Sequence, residues 1–530
     1  MNKKGIGKGI KGIVAACLLL GIALPFFTGC STQDSTGKRQ LWVVTEETTW
    51  DRMNGQLYEL EQAYEKEHKD VDIRVEYLPT EQQERDVYLQ QLRTEILQGG
   101  GPDLYLLPTD NTLTLNEPIT PTQVEVDPLF ADVELAMRNG LFYDISRFYD
   151  KDDALGKENL NAQIMAAGVV EGRRYVLPLR YDLPVIYARQ DALAAAGIDP
   201  GILEEGIDVI MDAVLASGDP VLAGGVFHNS FSAFSDFVDY GTGNVLLAEK
   251  ELISYMETYQ KLMALLGSQE DYVLGTLDIS TFINDSYDKI TMWVEKAEDI
   301  KIVGGEVIYE NAQERIYKYY PLWIGNLQDA FDYVPAAQYD KADMSVLPMR
   351  GVGGDVVATV TYYGAVGSGC GDPELAYDFL RQFLLQESQW EKNRPTRNHV
   401  KPLKGSGNTA KDMQRPGLIE SGWAVWDKDS LQTLWDVRRL QVYKKPVYMT
   451  NANEKERMRK IGLMTLETER MPLFDIAIDQ VRFNTVMSDK LVDILQSLNE
   501  QDDKKAPTQA DIPRLAEELL WSLRWFVAEG

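Results

Sequence analysis

The apolar positions change period along the chain, and each change marks an element. Leu41-Trp42-Val43-Val44 is a continuous apolar run, the pattern of a strand buried on both faces. Leu57, Leu60, Ala63 and Tyr64 then recur at helical spacing among Glu and Lys. Asp72-Ile73-Arg74-Val75-Glu76-Tyr77 alternates with a period of two and predicts a second strand. Tyr88, Leu92 and Ile96 mark the next helix, which Gly99-Gly100-Gly101-Pro102 stops. Asp103-Leu104-Tyr105-Leu106-Leu107 supplies a third strand before Pro108. A β-α-β-α-β start predicts an α/β fold with a parallel sheet covered by helices on both faces. Ligands bind such sheets beyond the carboxyl ends of the strands, so residues 45–50 and 108–111 are expected site walls.

The first thirty residues follow a different rule. Lys3, Lys4, Lys8 and Lys11 precede an apolar run over residues 13–27, and Thr28-Gly29-Cys30 leads into polar sequence. That order predicts a secretory signal peptide over residues 1–29, and the run is too short and too broken by Pro25 to span a bilayer. A cysteine directly after Thr-Gly resembles the bacterial lipobox, which implies that Cys30 is lipidated and begins the mature chain. Residues 30–39 read as a polar, flexible tether. The expected location is the extracytoplasmic face of the cell membrane, with the lipid as the sole membrane attachment.

Charge and cysteines narrow the partners. The formal charge is −29 and the signal holds four lysines and no acid, so the mature chain carries −33. Such a surface repels phosphates and argues against nucleic acid. With Cys17 in the signal and Cys30 lipidated, Cys370 is alone and no intrachain disulfide is expected. His68, His228 and His399 are scattered and no CxxC or HExxH spacing occurs, so neither a transition metal nor any other cofactor is expected. Asp150-Lys151-Asp152-Asp153 is acidic but lacks the spaced oxygens and glycine of a calcium loop.

Several further segments, in order, resemble extracellular solute-binding proteins of ABC importers, of the carbohydrate (family 1) type. They are Leu60-Glu61-Gln62-Ala63-Tyr64-Glu65 with the strand at 71–75, Gly100-Gly101-Pro102-Asp103-Leu104-Tyr105, and Gly140-Leu141-Phe142-Tyr143-Asp144-Ile145-Ser146. Gly172-Arg173-Arg174-Tyr175-Val176-Leu177-Pro178, Val185-Ile186-Tyr187-Ala188-Arg189 and Ala196-Gly197-Ile198-Asp199-Pro200 continue the series. Met344-Ser345-Val346-Leu347-Pro348 and Glu374-Leu375-Ala376-Tyr377-Asp378-Phe379-Leu380 close it. The likeness covers roughly residues 40–400. It implies a two-lobed periplasmic-binding-protein-like fold (type II) with an interlobe cleft, a hinge and an extended helical C-terminal portion. Residues 40–182 with 362–414 are expected in one lobe, and 183–361 with 415–530 in the other. Crossings are expected near 181–184, near 361–364 and around 400–415.

The function so implied is capture of a mono- or oligosaccharide by hinge closure and delivery to an ABC permease, by a monomer that is not an enzyme. A peptide or cationic solute, or a sensor role toward a membrane kinase, are the alternatives. A surface-anchored glycoside hydrolase is remote, since no G-x-S-x-G or HExxH signature occurs. Candidate ligand-binding residues are Glu46, Glu47 and Trp50 after the first strand and Asp110 after the third. Tyr181, Asp182, Tyr362 and Tyr363 are candidates at the crossings, and Trp323 in the other lobe. Sugar ring faces stack on aromatics while carboxylates accept hydroxyl protons, which is why these residue types are singled out.

Overall fold

The computed structural model describes residues 37–46, 52–109, 112–115, 122–157, 160–219, 222–223, 234, 237–239, 241–267, 300–303, 306–309, 322–326, 344–384, 477–483, 486–498 and 508–529. The expected opening is present as β1 (Arg39–Glu46), α1 (Arg52–Glu67), β2 (Val71–Leu78), α2 (Gln82–Leu97) and β3 (Leu104–Pro108). β1 pairs in parallel with both β2 and β3 and is buried from Val43 to Glu46. That is the fate of a strand covered on both faces, and it accounts for the unbroken apolar run. The glycine-rich stop between α2 and β3 has a steric cause. Gly101 sits at φ +96°, and a Cβ there would lie 2.9 Å from Ile96 Cγ1. Two residues on, Asp103 Oδ2 accepts from the Trp42 amide at 2.9 Å and fixes the start of β3 against β1.

The chain then reaches β4 (Val176–Asp182), and after Leu183 enters β5 (Pro184–Arg189). β4 belongs to the first sheet and β5 to a second, so the chain leaves one sheet for the other at Leu183. In the second sheet β5 is central, antiparallel to β6 (Leu322–Asn326) and β7 (Met344–Pro348). The helices α3 (Ile207–Ser217) and α4 (Glu249–Gly267) lie in the same half of the chain. The chain returns to the first sheet as β8 (Val357–Val366), followed by α5 (Pro373–Arg381). α5 carries its buried face on Leu375, Ala376, Tyr377, Phe379 and Leu380, capped by Asp372 with Pro373 at its first position. Residues 361–364 therefore lie within a strand of the first sheet, and the passage between sheets occupies residues 349–356. The third expected crossing, at 400–415, lies outside the described residues.

The C-terminal portion is more than helical. β9 (Gln480–Phe483) joins the first sheet in parallel with the amino-terminal half of β8. The helices α6 (Val486–Ser497) and α7 (Ile512–Glu529) contribute Leu491, Leu495, Ala516, Leu519 and Leu523 to the second core. The described chain thus has two apolar cores. The first draws on residues from Leu41 to Val185 with Val356–Leu384 and Ile478–Phe483, the second on Ile186–Met349 with the last two helices. No helix among the described residues is long and apolar enough to cross a membrane.

β8 holds the first sheet together. Its carboxyl half pairs with β3 on one edge, its amino half with β9 on that same edge, and β4 runs along the other. Gly364 in β8 is a place of close approach to Leu380 of α5: a Cβ would lie 2.1 Å from Leu380 Cδ1 and 3.2 Å from Leu106 Cδ2. Gly364→Ala is therefore expected to cost about 1–3 kcal/mol through overpacking. In urea denaturation, pairing it with Leu380→Ala should cost clearly less than the two single losses added together.

Candidate functional site

The register of β8 brings the expected site segments to one edge. β8 is antiparallel to β3 and β4, and β3 is parallel to β1, so β1, β3 and β4 all end on the same side. There Pro108 faces Tyr362, Tyr181 faces Val360, and Asp182 faces Thr359, which on its other edge faces Arg482 of β9. The pairing of β4 with β8 shifts register around Tyr362, and such bulges re-aim side chains at sheet rims. The passage from the first sheet to the second starts at this edge. Open α/β folds hold ligands beyond the carboxyl ends of their strands.

The side chains at the edge form a braced floor. Glu46 closes β1 and is 4% exposed, its two oxygens accepting from Arg85 Nη1 at 2.9 Å and Nη2 at 2.6 Å. Arg85 of α2 is wholly buried and also donates to the carbonyls of Pro79 (2.9 Å) and Asp127 (2.7 Å). Burial pushes the Glu46 carboxyl above its ordinary range, and the bonds from Arg85 oppose that shift. Tyr362 Oη donates to the Leu106 carbonyl at 3.3 Å and lies 3.2 Å from Thr45 Oγ1. With its one proton so used, the Thr45 hydroxyl donates to Tyr362, and the ring ties β1, β3 and β8. Thr109 continues the brace, its amide donating to the Thr361 carbonyl (3.1 Å) and its hydroxyl to that of Val360 (2.5 Å).

The other expected residues fall as follows. Tyr181 is buried at the end of β4. Tyr363 is 2% exposed and packs edge-on against Phe142 and Phe483, its phenol held well above the usual range by burial. Asp182 ends β4, and Trp323 stands opposite Tyr187 in β6; the side chains of both lie outside the described set. Glu47, Trp50, Asp110 and Cys30 lie outside the described residues. Half-buried polar positions at the edge are Thr109, Arg180 and Thr361. Asp152 of the acidic run accepts from Tyr377 Oη and Arg381 Nη1, both at 3.0 Å.

Arg482 escaped the sequence reading, which treated the C-terminal portion as helical. The available signal was short: Val481 and Phe483 alternate with Gln480 and Arg482. Arg482 is 7% exposed, and its Nη1 donates to the Phe234 carbonyl at 2.6 Å while its guanidinium lies 5.8 Å from the Phe237 ring. Phe234 and Phe237 belong to the second core and the neighbouring Phe483 to the first, so this side chain ties one core to the other. Arg482→Met should leave a buried carbonyl without its donor and cost about 1–3 kcal/mol, read from the urea midpoint at unchanged m.

Among solved structures, the chain is similar to an extracellular solute-binding protein family 1 member from Alicyclobacillus acidocaldarius. The identity is 11% over 92% of this chain and 98% of that one, with a TM-score of 0.46. It is also similar to the galacto-N-biose-/lacto-N-biose I-binding protein of the ABC transporter from Bifidobacterium longum in complex with lacto-N-biose. There the identity is 12%, over 93% and 98% of the two chains, with a TM-score of 0.46. A third is the cyclic alpha-maltosyl-1,6-maltose binding protein from Arthrobacter globiformis, at 14% identity, 92% and 99% coverage and a TM-score of 0.43. No curated protein matches the chain. The assignment rests on the family match, which runs over residues 50–390 and so takes in the two-sheet body from α1 through α5. The chain belongs to the bacterial extracellular solute-binding proteins, with their two-lobed periplasmic-binding-protein-like fold.

Proposed function

We propose that this protein captures a mono- or oligosaccharide between its two lobes and delivers it to an ABC permease, held to the outer face of the membrane by lipid on Cys30. The observation that carries the reading is the common edge formed by β1, β3 and β4 where the chain passes between sheets. A solute seated there touches both halves of the chain only when they come together, so its binding favours the closed arrangement. Glu46, Tyr181, Tyr362 and Tyr363 then serve as the floor. Glu47, Trp50 and Asp110, which follow β1 and β3 in the sequence, with Asp182 and Trp323, supply the stacking and hydrogen bonding that sugars need. The protein holds its solute without covalent chemistry and releases it intact.

A thermal-shift screen against oligosaccharides, amino sugars, peptides and polyamines tests this. A solute at a hundred times its Kd adds about 2.7 kcal/mol to stability, enough to move the Tm visibly. A shift with one sugar class and no cleavage product is expected. A shift with peptides or polyamines alone would replace the saccharide with that solute class.

A further inference from the structure

The last helix carries a feature that the interlobe site does not use. Trp521 and Trp525 of α7 are 58% and 49% exposed, with ring centroids 5.4 Å apart. Four residues apart, they share one face of the helix, while Leu519, Leu520 and Leu523 are buried in the second core. Beside them, a pocket of about 590 Å³ opens between α7 and the short hairpin formed by residues 238–239 and 244–245. Asn244, Val245, Leu247, Arg524 and Val527 line it. Arg524 is three residues from Trp521, and the lining residue Ala528 is three from Trp525, so the indole pair and the pocket lie on adjacent faces of α7.

We propose that this surface is a second saccharide-binding site, outside the interlobe cleft, in which the two indoles stack on sugar rings while Asn244 and Arg524 bond hydroxyls. Three observations select that occupant. Two half-exposed indoles offer on the order of 250 Å² between them, far below the ~800 Å² per partner of a stable protein interface. A membrane-lying helix wants a basic polar face, whereas α7 holds Arg514 and Arg524 against Glu517, Glu518 and Glu529, in a chain of charge −29. The pocket volume, with an amide and a guanidinium beside flat apolar rings, suits a small polar ligand with apolar faces. Such a site would hold a polysaccharide near the receptor. It stands whether or not the cleft takes a sugar.

The test is electrophoresis of the purified protein through native gels cast with glycogen, galactomannan or xylan, beside a blank gel. Retardation by at least one polysaccharide is expected. W521A/W525A should weaken it about tenfold or more while melting normally, since both rings are exposed. The double variant should leave unchanged any thermal shift that a small solute produces at the cleft, which separates this site from that one. No retardation in any gel, or retardation that survives the double substitution, would overturn the proposal. So would tryptophan-dependent binding to phosphatidylcholine–phosphatidylglycerol vesicles without polysaccharide retardation, which would assign the surface to lipid.

Discussion

Arg85→Met is expected to cost about 3–5 kcal/mol of folding stability, because it takes the neutralising cation from the buried Glu46 carboxylate. The two oxygens of Glu46 accept from Arg85, and both side chains are nearly free of solvent. Removing the cation takes both of these bonds from a carboxylate that stays buried. Replacing both partners by methionine should recover much of the loss, since an apolar pair of similar volume needs no charge compensation. Recovery stops short of complete, because the carbonyls of Pro79 and Asp127 also lose a donor. Urea denaturation of the two variants at pH 7 decides the matter. Equal losses in both would show that Arg85 acts through the carbonyls, and that the ion pair contributes little. Since β1 ends at Glu46 and the candidate residues Glu47 and Trp50 follow it in the sequence, the single variant should also weaken solute binding.

Tyr363→Ala is the second large effect, expected at about 3–5 kcal/mol. The ring fills space between Phe142 and Phe483 in the middle of β8, the strand that pairs with β3, β4 and β9. Tyr363→Phe keeps the ring contacts and should change stability by no more than about 1 kcal/mol. The pair separates two roles. If Tyr363 is floor, the phenylalanine variant binds solute as the native protein does, and the alanine variant loses binding only as it loses fold. If its hydroxyl meets the solute, Tyr363→Phe lowers affinity at full stability.

The parts of the fold that local pattern dictates were open to sequence reading. The run Leu41–Val44, the alternation at 72–77 and the helical spacing of Leu57, Leu60, Ala63 and Tyr64 each became the element their period predicts, because burial of those residues is decided within the element. The change of sheet at Leu183 falls where the family resemblance implies a crossing, near 181–184. Side-chain commitments across the chain were not. Glu46 reads as a site carboxylate until its partner 39 residues on is known. Tyr362 reads as a ligand aromatic until its hydroxyl is found between Thr45 and the Leu106 carbonyl. Four residues, Gln480–Phe483, are too few to reveal a strand by period, and their pairing with Val357–Val360 spans more than a hundred residues. Pairings of that separation depend on the assembled sheet, and no local window contains them.

If a saccharide is held between two lobes that close on it, binding makes the molecule more compact. Small-angle X-ray scattering of the protein during titration with gluco-, manno-, galacto- and xylo-oligosaccharides tests it most directly, with each sugar recovered and analysed afterwards. A saturable fall in the radius of gyration with one of these sugars, recovered intact, is the predicted result. Binding without compaction, cleavage of the sugar, or no response to any of the four would contradict it.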